Sequence, residues 1–400
     1  MLKATSRPVI VHLVLALGGF AIGTAEFSTM GLLPYLARDL HVSAPVAGHL
    51  ISAYALGVVL GAPLLTTLAA RWRRRTLLTA LMGLYALANG LSAVAPNYSW
   101  MLGFRFISGL PHGSYFGIAM LVAVSVVRTD QRARAVGHVL LGLTAATIVG
   151  VPLTNWLGQV VSWRWSFAIV AALALATAVL VAFFAPAEHR DMGASVLREL
   201  GALKRSQVWL TLAMGAIGFG GFFSVYTYLA STLMAVTAVS PRMVPIALAA
   251  FGVGMTAGNI IVPYFADRAV MRTAGILLLG SAATLALYPA AAAHFWSVTL
   301  DVMAIGFCGA LATVLQTRLM DVAGDAQSLA AALNHSAFNL ANALGPWLGG
   351  MAIAAGFGWT STGWVGCGLA LAGFAVWAVA LLADSTATDA IRSGAAEMRG

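Results

Sequence analysis

Long apolar runs, separated by short charged or proline-containing turns, follow one another along the whole sequence and leave few possible folds. Runs bounded by charges, proline or glycine cover residues 9–36, 47–70, 76–95, 98–127, 135–158, 164–185, 207–236, 243–265, 273–293, 295–320, 328–356 and 360–383. The hydrocarbon core of a bilayer requires about 20 apolar residues per helical span. The runs therefore predict an all-α polytopic membrane protein with twelve transmembrane helices.

The composition excludes a soluble protein and several classes of function. Of the 400 residues, 60% are hydrophobic and 9% are charged, whereas a soluble domain carries about 25% charged residues. The net charge of +9 is distributed over short turns, unlike the single basic face of a nucleic-acid-binding protein. Cys308 and Cys367 lie in apolar runs, without a histidine at metal-ligand spacing. We therefore expect no cofactor, no metal and no nucleic acid, and a monomer surrounded by lipid.

The basic residues predict an orientation in the membrane. If the N-terminus is cytoplasmic, 18 of the 22 basic residues fall on the cytoplasmic side, Arg38, Arg164 and Arg242 fall in outer loops, and Arg105 lies inside the fourth span. Because cytoplasmic loops carry an excess of Lys and Arg, we expect an inner (plasma) membrane protein with both termini cytoplasmic. The polar segment 186–206 divides the chain into two halves. We expect an N-terminal six-helix bundle (1–185), a cytoplasmic linker and a C-terminal six-helix bundle (207–400).

An internal repeat relates the two halves. At a constant offset of 197 residues, the segment from Gly57 aligns with the segment from Gly254 without a gap. The identical pairs are Gly57/Gly254, Gly61/Gly258, Ala69/Ala266, Arg71/Arg268, Arg75/Arg272 and Thr76/Thr273. Chance would seldom bring the arginines into register together with the glycines. The repeat predicts two bundles related by a pseudo-two-fold axis.

Several longer strings resemble a known family over nearly the whole chain. They are GTAEFSTMGLLP in helix 1, ISAYALGVVLGAPL in helix 2, RFISGLPHG in helix 4, GLTAATIVGVPLTNWLG in helix 5, WRWSF in helix 6, GNIIVPYFADR in helix 8 and AFNLANALGPWLGG in helix 11. With these strings the chain resembles the twelve-helix drug:proton antiporters of the major facilitator superfamily, in the arabinose-efflux-permease-like branch. The resemblance implies two bundles that rock about a site near the membrane midplane.

The helix 5 string resembles the antiporter motif of that family. Gly142, Ala146 and Gly150 follow one another at intervals of four residues, and the helix is expected to break at Pro152. The resemblance implies antiport, although any closely packed span could carry the same small residues.

The cytoplasmic turns of the repeat are the expected gating loops. The first turn carries Arg71 and Arg75, and the second carries Asp267, Arg268 and Arg272. The superfamily usually has an aspartate in the first turn, where this chain has alanine. Any charge latch between the halves is therefore expected to depend on Asp267 alone.

Ionisable side chains inside the spans are the candidates for proton coupling, because each costs about 2.5–3.5 kcal/mol on insertion scales. Glu26 is the carboxylate placed deep in the first half, and Arg105 is expected at a comparable depth. We interpret Glu26 as the proton carrier and Arg105 as its charge partner, with a permanent salt bridge as the structural alternative. His112 lies two turns from Arg105, where helix irregularity could also explain it. Asp301, near the outer end of helix 10, is a further candidate for which a structural role is equally open.

Two spans of the second half supply candidate substrate contacts. They are Phe219, Phe222, Phe223 and Tyr226 in helix 7, and Asn334, His335 and Asn339 in helix 11. The aromatic residues share one helical face and could form a wall for an amphipathic solute, or simply pack the core. The polar residues of helix 11 could instead bond to neighbouring helices.

These features favour a secondary transporter. The sequence has no G-x-x-x-x-G-K-[ST] phosphate loop, so the energy must come from an ion gradient. The leading hypothesis is a proton-coupled exporter of a small organic solute, such as a drug, a sugar or a nucleoside-like compound, acting by alternating access. Proton-coupled uptake or facilitated diffusion of a small metabolite is the alternative. An enzyme would require a nucleophile with its base, or a metal cluster, and the sequence contains no such constellation.

The topology is testable with reporter fusions. A reporter joined after Arg205 or at Gly400 is expected to be active only if it requires the cytoplasm, because both points lie on the side with the excess of basic residues. A paired periplasmic reporter at the same points serves as the control. Periplasmic activity at either point would contradict the predicted number of spans.

Overall fold

The computed structural model of the protein describes residues 8–68, 72–128, 131–186, 204–323 and 327–397, and these ranges are almost entirely helical. We number twelve spans within them. They are α1 (Pro8–Gly31, continued by Leu33–Asp39), α2 (Ala44–Leu68), α3 (Arg74–Ala93), α4 (Tyr98–Ser125), α5 (Arg132–Ala145 and Val151–Leu157), α6 (Trp163–Phe184), α7 (Ser206–Gly218 and Gly220–Ala235), α8 (Val244–Ile261 and Pro263–Ala266), α9 (Val270–Ala291), α10 (Phe295–Cys308 and Leu311–Ala323), α11 (Gln327–Ala352) and α12 (Ser361–Glu397). The predicted all-α class is confirmed.

The boundary between α5 and α6 is a capped break in one long apolar helix. Eleven helices in the described ranges are long and apolar enough to cross a membrane, and one of them, Arg134–Phe184, has 51 residues. A straight helix of that length would extend for about 76 Å, more than twice the ~30 Å hydrocarbon core. At Ser162 the backbone is extended (φ −173°, ψ 146°), and the hydroxyl accepts a hydrogen bond from the Arg164 N–H at 3.3 Å. This N-cap begins α6, so the 51 residues form two spans.

Helix pairing repeats between the two halves. In the first half α2 packs on α4, α1 on α5 and α3 on α6; in the second half α8 packs on α10, α7 on α11 and α9 on α12. Across the halves, α2 packs on α11 and α5 packs on α8. Each contact becomes its counterpart when the helix numbers advance by six. The structure is therefore two six-helix bundles with pseudo-two-fold symmetry, as the repeat predicted.

The sequence repeat is reproduced in individual contacts. A Cβ atom on Gly57 would collide with the carbonyl oxygen of Phe106, and a Cβ atom on Gly254 would collide with that of Met303. The glycines are 197 residues apart, and so are their partners. Only a residue without a side chain lets two helix backbones approach so closely. Glycine therefore sets the separation of α2 from α4 and of α8 from α10.

Exposed tryptophans mark the two ends of the bundles. Each of these side chains is at least half exposed: Trp100, Trp156, Trp165, Trp296 and Trp364 at one end, and Trp72 and Trp209 at the other. Tryptophan is enriched where a membrane meets water, because its ring is apolar and its N–H is polar. The exposed leucine, isoleucine and valine side chains between the two sets are suited to contact with lipid.

Two predictions concern residues beyond the described ranges. Residues 187–203, most of the predicted linker 186–206, lie outside them, and so does Arg71 of the first gating loop.

The close approach of α8 and α10 is testable with a pair of glycine variants. Gly254→Ala is expected to lower the thermal unfolding midpoint, because the new methyl group overpacks a backbone contact at a cost of about 1–3 kcal/mol. Gly83→Ala is the control, since a Cβ atom there meets open space. That change is expected to be neutral or to stabilise by about 0.5–1 kcal/mol. Equal responses of the two variants in detergent would contradict the packing described.

Candidate functional site

The central polar contact of the molecule joins the two bundles. Glu26 on α1 is 7% exposed and Asn342 on α11 is fully buried. The Asn342 amide donates a hydrogen bond from Nδ2 to Oε1 of Glu26 at 3.0 Å, across 316 residues of sequence. The other amide atom, Oδ1 of Asn342, is buried and has no hydrogen-bond partner. A buried carboxylate therefore touches the opposite bundle directly.

Arg105 lies beside this contact without joining it. Its side chain is fully buried, and its Cζ atom lies 4.3 Å from the ring centroid of Tyr54 and 5.5 Å from that of Phe167. Nε and Nη1 have no hydrogen-bond acceptor. Glu26 and Arg105 interact electrostatically, but within the described residues they form no ion pair. Aromatic faces thus partly replace the anion that a buried guanidinium normally requires.

A chain of three side chains holds the Tyr54 ring in place. The Tyr54 hydroxyl lies 2.9 Å from Nδ1 of His112 and 3.2 Å from the Tyr85 hydroxyl. Tyr85 donates to the carbonyl oxygen of Ile22 at 3.4 Å, so it can accept from Tyr54. All three groups are satisfied if His112 donates from Nδ1 to Tyr54, a tautomer inferred from the partners. His112 therefore acts on Arg105 through Tyr54.

His112 also lies next to an aromatic contact between the bundles. Its ring centroid is 5.4 Å from that of Phe116, and Phe116 stacks on His335 of α11 with centroids 5.9 Å apart and planes 6° apart. The structure thus brings two predicted residues, His112 and His335, to either side of one phenylalanine.

The predicted aromatic face of α7 forms one cluster. Phe219 stacks on Phe222 at 4.6 Å, and Phe222 contacts Phe223 at 5.0 Å and Tyr226 at 6.4 Å between ring centroids. The Tyr226 hydroxyl is buried without a hydrogen-bond partner. Such an orphaned donor in an apolar wall is unusual.

Rings from three other helices complete this cluster. Phe251 of α8 lies 4.0 Å from Tyr226, Phe338 of α11 lies 4.7 Å from Phe219, and Phe27 of α1 lies 5.8 Å from Tyr226. Phe27 follows Glu26 in the sequence. The aromatic cluster and the titratable carboxylate are therefore neighbours.

The other predicted polar residues point elsewhere. Asn334 donates to the Ala312 carbonyl oxygen at 3.5 Å, and Asn339 donates to the His335 carbonyl oxygen at 2.9 Å. Asp301 lies on α10 near Tyr288 of α9, and its Oδ2 atom is buried without a partner. These side chains belong to the C-terminal bundle and make no contact with Glu26 within the described residues.

The helix 5 motif packs α5 on α1. A Cβ atom on Gly142 would collide with the Ala16 carbonyl oxygen, and Gly150 lies against the hydroxyl of Thr24. The sequence predicted a break of the helix at Pro152, but the helix does not break there. A π-helical turn at Ala146–Gly150 comes first, and the helix continues as Val151–Leu157. The irregularity of the helix therefore lies in this wider π-helical turn. Its extra residue interrupts the regular ladder of backbone hydrogen bonds before the proline.

The ends of the bundles differ in their contacts. At the end predicted to face outward, Gln159 after α5 donates to the Pro241 carbonyl oxygen at 2.8 Å, and the Tyr228 hydroxyl lies directly against Gly48 of α2. At the end predicted to be cytoplasmic, the Asp267 carboxylate forms no hydrogen bond or ion pair with another described residue, and the Arg268 side chain donates within its own turn to the Tyr264 carbonyl oxygen, 3.5 Å away.

The remaining arginines of the gating loops are Arg75 and Arg272. They lie in the first turns of α3 and α9, at the same end of the bundles as Asp267. Among the described residues, neither bridges to the opposite bundle through a hydrogen bond or an ion pair. A charge latch is therefore not formed by the described part of these loops.

Sequence reasoning missed the partners of the site more than the site itself. Tyr54, Tyr85, Phe251 and Phe338 are all uncharged and lie in apolar runs, so nothing in their local sequence distinguishes them from core residues. Tyr54 offered one signal, since it stands one turn before Gly57 of the repeat.

The chain is similar to known membrane proteins along most of its length. The sequence model of the Major Facilitator Superfamily matches residues 15–236 and again 225–398. Inner membrane transport protein YdhP of Escherichia coli (strain K12) is 42% identical over 350 residues, which cover 87% of this chain and 90% of YdhP. A chloramphenicol resistance protein of Streptomyces lividans is 32% identical over 340 residues, or 83% of this chain and 86% of that protein.

The fold is also similar to a solved structure. The crystal structure of a bacterial homologue of the human lysosomal transporter Spinster, in an inward-facing and unoccupied conformation, superposes with a TM-score of 0.70. The superposition covers 95% of this chain and 98% of that chain, at 18% sequence identity. At this identity the likeness concerns the fold alone.

Proposed function

Because this chain belongs to the Major Facilitator Superfamily, and is therefore a multi-pass inner-membrane transporter and not an enzyme, we propose that it exports a small organic solute in exchange for protons. The bundles rock about the region of Glu26, which takes up a proton from one side and releases it to the other. The solute occupies the neighbouring aromatic cluster.

The observation that carries this proposal is the hydrogen bond between Glu26 and Asn342. As a carboxylate, Glu26 accepts from Nδ2 of Asn342 at 3.0 Å. As a protonated acid, it gains a donor, and Oδ1 of Asn342 is a buried acceptor that lacks one. The two protonation states thus make different contacts with α11. A proton can shift a conformational equilibrium only through such a difference between states.

Arg105 makes the deprotonated state tolerable inside the membrane. Its buried guanidinium acts on Glu26 without a direct ion pair, so the carboxylate remains able to exchange its proton. When Glu26 is protonated, the ring faces of Tyr54 and Phe167 still stabilise the positive charge of Arg105.

The residues of the aromatic cluster favour a planar, largely apolar solute. Five phenylalanine rings and Tyr226 pack together beside Phe27, and Tyr226 offers one unused hydroxyl. Aromatic pairs contribute about 0.5–1.5 kcal/mol each beyond the burial of area. One relative of this chain is named a chloramphenicol resistance protein, which agrees with export of a drug.

The proton gradient is sufficient for this task. One charge moved across 100 mV releases about 2.3 kcal/mol. Since about 1.4 kcal/mol corresponds to a tenfold concentration ratio, one proton supports roughly a fifty-fold gradient of a neutral solute.

The proton-coupling role of Glu26 is testable in proteoliposomes. Glu26→Gln is expected to abolish proton flux on addition of chloramphenicol or another planar aromatic solute, because the amide mimics the protonated acid permanently. Exchange of labelled solute between equal pools is expected to persist, since exchange requires no net proton movement. Flux is measured with a pH-sensitive dye inside the vesicles.

Three further variants separate coupling from structure. Glu26→Asp retains a titrating group and should keep part of the flux, whereas Asp301→Asn removes a half-buried carboxylate from the other bundle and should leave flux unchanged. If Glu26 only balances Arg105, combining Glu26→Gln with Arg105→Gln should restore both stability and proton-coupled export. Normal coupled export by a well-folded Glu26→Gln protein would refute the proposal.

The aromatic site is testable by comparing solutes. Phe222→Ala is expected to weaken binding of an aromatic solute about two- to tenfold, the loss of one aromatic pair, and to affect a non-aromatic solute of equal size much less. The binding constants are measured by fluorescence quenching of the purified protein. If the cluster only packs the core, the variant will lose thermal stability while its preference among solutes stays the same.

A further inference from the structure

A cavity lies at one end of the N-terminal bundle, away from Glu26. It has a volume of about 230 Å³ and is lined by Pro8, Val9, His12, Val127, Gln131, Arg134, Ala135 and His138. His12 precedes Glu26 on α1 by nearly four helical turns, about 21 Å along the axis. The cavity therefore belongs to a different level of the membrane, at the ends of α1 and α4 and the beginning of α5.

Two hydrogen bonds determine which nitrogen atoms of the cavity are available. Nε2 of His12 lies 3.1 Å from the carbonyl oxygen of Ala123. A carbonyl only accepts, so this nitrogen carries the hydrogen, and Nδ1 of a neutral His12 is an acceptor. His138 therefore donates from its Nδ1 to Nδ1 of His12, across 3.2 Å. Nε2 of His138 makes no hydrogen bond with any described residue.

His138 consequently has one ring nitrogen, Nε2, that is free to contact a ligand, while its Nδ1 donor to His12 remains. His12 has no such freedom, because both of its nitrogens are already used.

Arg134 and Gln131 add donors on the same helix face. They precede His138 by four and seven residues, and residues at these spacings lie above one another on an α-helix. The Arg134 side chain makes no hydrogen bond or ion pair with another described residue, and it carries the one formal charge among the described residues that line the cavity. The side-chain donors of Arg134 and Gln131 therefore face one small space that no described carboxylate lines, which suits an anion.

We propose that this cavity binds a phosphate group, supplied by an anionic phospholipid headgroup or by a free phosphate compound. A phosphate offers oxygens in several directions and accepts from guanidinium and amide donors together. The inference rests on the predicted cytoplasmic location of the start of α1, where anionic headgroups gather. Val9, which is 66% exposed, lies beside the cavity and presents the apolar surface that the lipid part of such a ligand requires.

The ligand would join the two helices that carry the coupling machinery. α1 holds Glu26, α5 holds the Gly142–Gly150 stripe, and the cavity lies where these helices begin. Occupancy is therefore expected to stabilise their contact at the cytoplasmic end.

The test uses the full-length protein purified in detergent. Its thermal unfolding midpoint is measured against added phosphatidylglycerol, phosphatidylcholine or inorganic phosphate. The wild type is compared with Arg134→Gln, Arg134→Lys and His138→Gln, and with Arg242→Gln as a control at an exposed arginine outside the cavity. Loss of one charge-assisted hydrogen bond is expected to weaken phosphatidylglycerol binding roughly tenfold, with partial rescue by Arg134→Lys.

The pattern of responses identifies the source of the phosphate. Stabilisation by phosphatidylglycerol alone, lost in Arg134→Gln and kept in Arg242→Gln, supports a lipid headgroup site. Stabilisation by inorganic phosphate with the same dependence on Arg134 supports a site for the free anion. Equal stabilisation of wild type and Arg134→Gln, or no response to either anion, would overturn the proposal.

Discussion

A polar group buried inside a membrane-spanning bundle must find its partner within the protein, and Glu26 finds its partner in the opposite bundle. Water is scarce at this depth, so an unsatisfied carboxylate is costly. The hydrogen bond from Asn342 therefore links the electrostatic state of α1 to the position of α11. In the proposed mechanism, in which the two bundles move relative to each other, this contact gives a proton a way to act on the whole molecule.

The surrounding structure supports this contact from three directions. The backbone approach of α2 to α4, set by Gly57, brings Tyr54 beneath Arg105. The chain from His112 through Tyr54 to Tyr85 then fixes the ring under the guanidinium. On the other side, Phe27, the residue after Glu26, packs against the aromatic cluster of α7 and α8. Packing, hydrogen bonding and electrostatics thus converge on one side chain.

The sequence carried enough information to predict the fold and the family. The twelve spans follow from apolar runs of sufficient length, and the pseudo-symmetry follows from the Gly57/Gly254 offset, which reappears in the contacts with Phe106 and Met303. The partners of Glu26 could not be predicted, because Asn342 is 316 residues away and only the packing of α1 against α11 brings the two together. The break expected at Pro152 was wrong for a similar reason: a π-helical turn in the preceding residues absorbs the irregularity.

The central claim is that the protonation of Glu26 is sensed by Asn342. Infrared difference spectroscopy of the reconstituted protein during a pH titration tests it directly, because a protonated carboxylic acid has a carbonyl band that neither a carboxylate nor an amide shares. The account predicts a titrating band that is absent in Glu26→Gln and that changes both its frequency and its titration midpoint in Asn342→Leu. A Glu26 band that is identical in the wild type and in Asn342→Leu, or that never titrates, would contradict it.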